Sequence, residues 1–154
     1  MLYDEIKPFV TMLLLHLPYI EIVGSYSRNE YTVNDLDIIT MTPIIEVIND
    51  IQKMLNNVKI NSFEIKYIGS QYAKIIINFT KTKSLNIDIW STNSNYEYKF
   101  LKWMRSIDKG RNIAYRKMAR NKNYTLSDRY LYDNITKKFI DFNDIEELKM
   151  FLKQ

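Results

Sequence analysis

The sequence predicts an α+β fold: a mixed β-sheet flanked by helices, followed by a smaller segment of helices and short strands. Three observations carry that reading. Apolar residues recur at three- and four-residue spacing over 2–17 and 43–55. Short alternating runs occupy 19–23, 35–41, 63–69, 71–79 and 84–90. Beyond residue 94 the alternation gives way to helical stretches at 95–106 and 109–121.

In the first helix Ile6, Phe9, Val10, Leu13 and Leu14 share a face, and Pro18 ends it. The strand YIEIV (19–23) stops at Gly24-Ser25, and DLDIITM (35–41) is the second strand. Pro43 opens a helix through Leu55, with Ile44, Val47, Ile48, Ile51 and Leu55 on one side. Two strands flank Gly69-Ser70, and SLNIDIW supplies a third at 84–90. Strand-like pieces at 124–126, 130–132 and 138–140 precede a last helix at 143–152.

Composition narrows the chemistry. Of 154 residues 46% are hydrophobic and 26% charged, so the chain can build a core and is not disordered. With no Cys and one His, disulfides, thiolate zinc sites and two-histidine catalysis are excluded. A metal would need oxygen ligands, which suits magnesium, calcium or manganese. The apolar run Met12–Leu15 is too short to span a membrane, and Asp4 and Glu5 spoil a signal peptide. A soluble, intracellular, cytoplasmic protein with no membrane partner is expected.

The net charge of +4 is unevenly placed. Residues 99–129 carry ten basic and two acidic side chains, whereas 1–98 carry eight and eleven. Five of the six arginines lie in that stretch: Arg105, Arg111, Arg116, Arg120 and Arg129. A lysine-rich composition does not explain that concentration, and guanidinium suits phosphate, so nucleic acid is the expected partner.

The most informative segment is Gly24-Ser25-Tyr26-Ser27-Arg28, followed by Asn34-Asp35-Leu36-Asp37. Strand alternation points Asp35 and Asp37 to one face. Two like charges there favour a bound cation over packing. Asp88 stands between core-facing Ile87 and Ile89, and would complete a three-carboxylate cluster if its strand lay beside the first. Such a cluster builds a two-metal phosphoryl-transfer site. A Gly-Ser turn, with Arg28 one turn on along a short helix, adds an anion cradle.

These motifs resemble the polymerase-beta-like nucleotidyltransferase superfamily, whose hallmark is GS followed after about ten residues by D-x-D. Residues 112–132 look like the thumb of family X DNA polymerases, a helix bearing Asn and, four on, Arg before an aromatic-rich hairpin. The tail Phe142–Leu148 looks like that family's terminal helix. The chain is similar to compact viral members that keep palm and thumb without lyase or fingers domains. The resemblance implies a palm at 1–98, a thumb at 99–154 and a monomer. It implies that Asp35 and Asp37 bridge two Mg²⁺ ions, with Mn²⁺ able to substitute, and that Asp88 binds the catalytic one. Gly24, Ser25 and Arg28 would hold the triphosphate of a dNTP, and Asn112 the nascent base pair. Arg116 would contact the template, with Arg105, Arg111, Lys117 and Arg120 also on DNA.

The implied activity is template-directed DNA polymerisation on primer–template or gapped DNA, in short-gap repair. Asn34 replaces the Gly common before D-x-D, and Asn86 replaces the basic residue two before the third Asp. The Tyr-Phe-Thr-Gly segment that shapes the sugar pocket is absent, with WMRSI at 103–107 instead. Transfer to RNA, to an untemplated DNA end or to a protein acceptor is therefore the alternative. A non-catalytic nucleic-acid-binding module is the third reading, and it leaves the acidic cluster unexplained.

Overall fold

A computed structural model describes residues 1–154. Helix α1 (Tyr3–His16) buries Ile6, Phe9, Val10 and Leu13 and runs through Pro8, whose ring is on the exposed side. Strand β1 (Ile20–Val23) leads by an irregular loop to β2 (Asp35–Thr40). Helix α2 (Ile44–Leu55) starts directly after Pro43, whose φ of −55° suits helix entry. Strands β3 (Ser62–Ile68), β4 (Tyr72–Asn78) and β5 (Ser84–Ser91) complete a mixed five-stranded sheet of order β1-β2-β5-β4-β3. Only β2 and β5 pair in parallel.

Alternation divides the sheet into two chemically distinct faces. Leu36 and Ile38 of β2, Ile87 and Ile89 of β5, and Ala73, Ile75 and Ile77 of β4 form one core with the buried faces of α1 and α2. The opposite face carries Asp35, Asp37, Asn86, Asp88 and Lys74. Strand β3 is an edge, and a register shift between Ile65 and Tyr67 interrupts its pairing with β4. Such a bulge discourages further strand addition.

The chain divides at 93/94 into two compact units, Met1–Asn93 and Ser94–Gln154. The division precedes the expected 98/99 because helix α3 (Asn95–Ser106) stays whole, N-capped by Ser94 Oγ, which accepts from Glu97 N at 3.2 Å. Helix α4 (Lys109–Asn121) is capped by Asp108. Strands β6 (Tyr124–Leu126), β7 (Leu131–Asp133) and β8 (Lys138–Ile140) form an antiparallel sheet in that order. Helix α5 (Ile145–Lys153) begins two residues later than its apolar pattern suggests, because Asp144 serves as its cap. Phe100, Met104, Ala119, Leu126, Leu131, Leu148 and Leu152 make the second core. No helix is long and apolar enough to cross a membrane.

Candidate active site

Asp37 pairs in register with Asp88 across β2 and β5, and Asp35 pairs with Asn86. Directly opposed residues share a face, so all three carboxylates stand on the side of the sheet away from α1 and α2. Val23 opposes Asp37 on the other flank, which brings Gly24 over this carboxylate. A Cβ on Gly24 would lie 2.2 Å from Asp37 Oδ2, and the residue has φ +78°. Only glycine fits that approach.

The loop after Gly24 is a series of turns, not the short helix expected, because Asn29 takes φ 56° and breaks the helical path. Gly24 O accepts from Ser27 Oγ at 2.7 Å and from Arg28 N at 3.2 Å. The loop's far end is tied to the start of the chain, where Tyr3 N donates to Tyr31 O and Val33 N to Met1 O, each at 2.8 Å. Tyr26 stacks on Tyr3 at 4.6 Å between ring centroids. Burial and Tyr3 together hold the Tyr26 hydroxyl's pKa up at about 12. Ser25 follows directly on Gly24, the residue set against Asp37, and Arg28 lies three residues further along the same loop. The Arg28 guanidinium is paired with Glu30 through Nε at 3.1 Å and Nη2 at 2.7 Å.

Asp88 is 8% exposed. Tyr72 of β4 donates its hydroxyl to Asp88 Oδ1 at 2.5 Å, and Lys74 Nζ stands 4.0 Å from the same oxygen. Lys74 is the register partner of Asp88, so a cation lies beside this carboxylate although position 86 holds Asn. Neither Tyr72 nor Lys74 was singled out from sequence. The alternation of β4 put both on one face, but nothing local indicated which strand they would meet.

The donors suit a hard divalent cation: three carboxylates on one face, one of them buried, and a glycine backbone set against another. No three acidic side chains converge closely enough as they stand to enclose an ion.

No family model matches the chain, and no curated protein does.

In the second unit Asp128 pairs with both Arg105 and Arg116. Arg116 Nε also donates to Asn112 Oδ1 at 2.6 Å and its Nη1 to Leu126 O at 3.3 Å. Asn112 Nδ2 donates to Met104 O at 2.8 Å, which ties α4 to α3. Asn112 and Arg116, four residues apart on α4, bond to each other and are held inside the unit. Arg111, Lys117 and Arg120 are exposed on α4. Arg111 Nε approaches Asp108 Oδ2 at 3.5 Å, yet its side chain is 70% exposed. Tyr124 packs on Phe151, and Tyr130 and Tyr132 pack on Phe139. Trp103 leans on Phe100 with Lys99 over its ring at 5.6 Å.

Proposed function

We propose that the chain is a nucleotidyltransferase that adds dNMP to a primer 3′-hydroxyl on gapped or primer–template DNA, its two units serving as palm and thumb. The observation that carries the reading is the register Asp37–Asp88, with Asp35 on the same face and Gly24 pressed on Asp37. A packing role would not gather three carboxylates on one sheet face, because their mutual repulsion is unfavourable without a cation.

Asp35, Asp37 and Asp88 would hold Mg²⁺ or Mn²⁺. A metal held there would offset charge on the phosphoryl oxygens and lower the pKa of the primer 3′-hydroxyl. The hydroxyl oxygen bonds to the α-phosphorus of the dNTP as the bond to pyrophosphate breaks and pyrophosphate leaves. Gly24, with no side chain, leaves room for the Asp37 carboxylate against the end of β1, and Tyr72 and Lys74 orient Asp88. Arg28 exchanges Glu30 for a triphosphate oxygen, gaining a dianionic partner in place of a monoanion. Lys117, Arg120 and Arg111 supply the exposed charge that meets the DNA backbone.

A second reading, transfer without a template or to RNA, is favoured by one observation. Asn112, Arg116 and Arg105, which the resemblance gives to the nascent pair and to DNA, are engaged with Asp128 and Met104 O. Labelled dNTPs and NTPs with Mg²⁺, offered to gapped DNA, blunt DNA and RNA, test both. Extension of gapped DNA only, dictated by the template base, supports the first reading; equal extension whatever the template supports the second. No transfer to any acceptor overturns both.

A further inference from the structure

The carboxylate face also carries a ladder of aromatic rings. Tyr67 on edge strand β3, Tyr72 on β4 and Trp90 on β5 lie side by side. Centroids are 5.8 Å apart for the first pair and 4.4 Å for the second, with interplanar angles of 29° and 39°. The middle ring reaches the site, because its hydroxyl is the one bound to Asp88. The outermost ring, Tyr67, is 57% exposed.

Packing does not account for that last ring. The hydrophobic core of this unit is on the other sheet face, and an aromatic left more than half in water at a sheet edge gains little from burial. Lys74 opposes both Tyr67 and Asp88 in register, so an ammonium stands between ladder and carboxylate. Lys66, at the bulge beside Tyr67, is also half-exposed, with its Nζ 4.0 Å from the carboxylate of Glu64. Tyr67 stacks on Tyr72 and is bordered by Gly69, yet the ring stays more than half exposed with Lys74 and Lys66 nearby. A solvent-facing aromatic beside cations is the chemistry that takes an unpaired base and its phosphates.

We propose that Tyr67, backed by Tyr72 and Trp90, is a stacking platform for an unpaired base at the 3′ end of the acceptor strand. The inference rests on reading Asp35, Asp37 and Asp88 as the transfer site, and it names the acceptor class: a nucleic acid single-stranded over its last nucleotides. Neighbouring strands lie about 4.8 Å apart, so β3 is about 10 Å from β5, within reach of a nucleotide trailing the reacting end. A base inside a duplex has both faces covered by its neighbours, whereas an unpaired base can lie on Tyr67. Stacking of this kind tolerates any base.

The test uses the full chain with Mg²⁺ and no nucleoside triphosphate, so that binding is read without turnover. The probe is a single-stranded oligodeoxynucleotide carrying 2-aminopurine next to its 3′ end, with a 5′-labelled copy and an RNA of the same sequence as further arms. Wild type and Tyr67→Phe should quench the 3′ label. Tyr67→Leu, which keeps apolar bulk and removes the ring, should lose the quench and bind about tenfold more weakly. Melting curves confirm that each variant is folded.

Equal quenching and affinity in Tyr67→Leu overturn the platform. So does quenching of the 5′ label alone, or a change in sedimentation showing that Tyr67 joins two copies of the chain. Quenching by RNA but not DNA keeps the platform and sets the sugar. A protein that transfers nucleotides with an unaltered Tyr67→Leu profile loses this inference alone. A protein that stacks the strand but never transfers loses the transferase reading alone.

Discussion

Asp37 and Asp88 face each other across the one parallel strand pair of the sheet, and Tyr72 holds the second of them from the adjacent strand at 2.5 Å. If these carboxylates hold the metal, Asp37→Asn and Asp88→Asn should each lower nucleotide transfer about a thousandfold or more, since several kcal/mol of charge stabilisation is lost. Both changes are isosteric, so thermal unfolding should be little altered. DNA affinity should hold or rise as negative charge is removed. Transfer within tenfold of wild type in Asp37→Asn would refute the two-metal assignment.

Gly24→Ala tests the close approach on Asp37. The new Cβ would meet Oδ2 at 2.2 Å, at φ +78°. The backbone alone should cost about 1–2 kcal/mol, read as a lower denaturant midpoint. Transfer should fall further than stability does, because the displaced group is the carboxylate itself. A variant with wild-type midpoint and rate would show that the loop moves freely away from β2.

Asp128→Asn separates the structural from the recognition role of Arg105 and Arg116. The Asp128 side chain is only 25% exposed and serves two arginines, so the loss of its charge should lower stability by about 1–3 kcal/mol. With a neighbour's negative charge gone, DNA binding should tighten and its dependence on salt should steepen. An unchanged affinity together with a marked fall in melting temperature would mean that the two arginines serve the fold alone.

The exposed cations of α4 make a different prediction. Charge reversal at Arg111 and Lys117 should weaken binding to all DNA sequences alike and flatten the plot of affinity against salt. Unaltered binding in the double variant would leave the basic stretch a solvated surface.

Alkaline pH should destabilise the first unit. Burial, and then the hydrogen bond to Asp50, raise the Tyr19 hydroxyl above its ordinary pKa. A raised folded value means stability is whole below pH about 10, where the unfolded phenol begins to ionise, and is lost as pH climbs from there toward the folded pKa. Tyr19→Phe should be less stable at neutral pH and should lose less between pH 9 and 12. Denaturant midpoints across that range provide the check. Parallel losses in both proteins would assign the alkaline transition to other groups.

The division between local and distant information is visible residue by residue. The limits of α3, α4, β6 and β8 were legible as written, because a periodicity of 3.6 or 2.0 needs only a dozen neighbouring residues. The shared face of Asp35 and Asp37 was legible for the same reason. The helical path expected after Gly24 was not, since Asn29 adopts a positive φ that short polar residues tolerate but do not announce. Tertiary structure alone decided that β5 lies next to β2 and that Asp88 meets Asp37 rather than Asp35. It also set Lys74 beside Asp88 and closed Asp128 on two arginines from different helices. Each of these depends on strand order, register or helix packing between residues well separated in the chain. Such choices are made by the whole core at once: a slip of one residue would turn every β5 side chain to the wrong face, and burial of Ile87 and Ile89 against α1 and α2 forbids it.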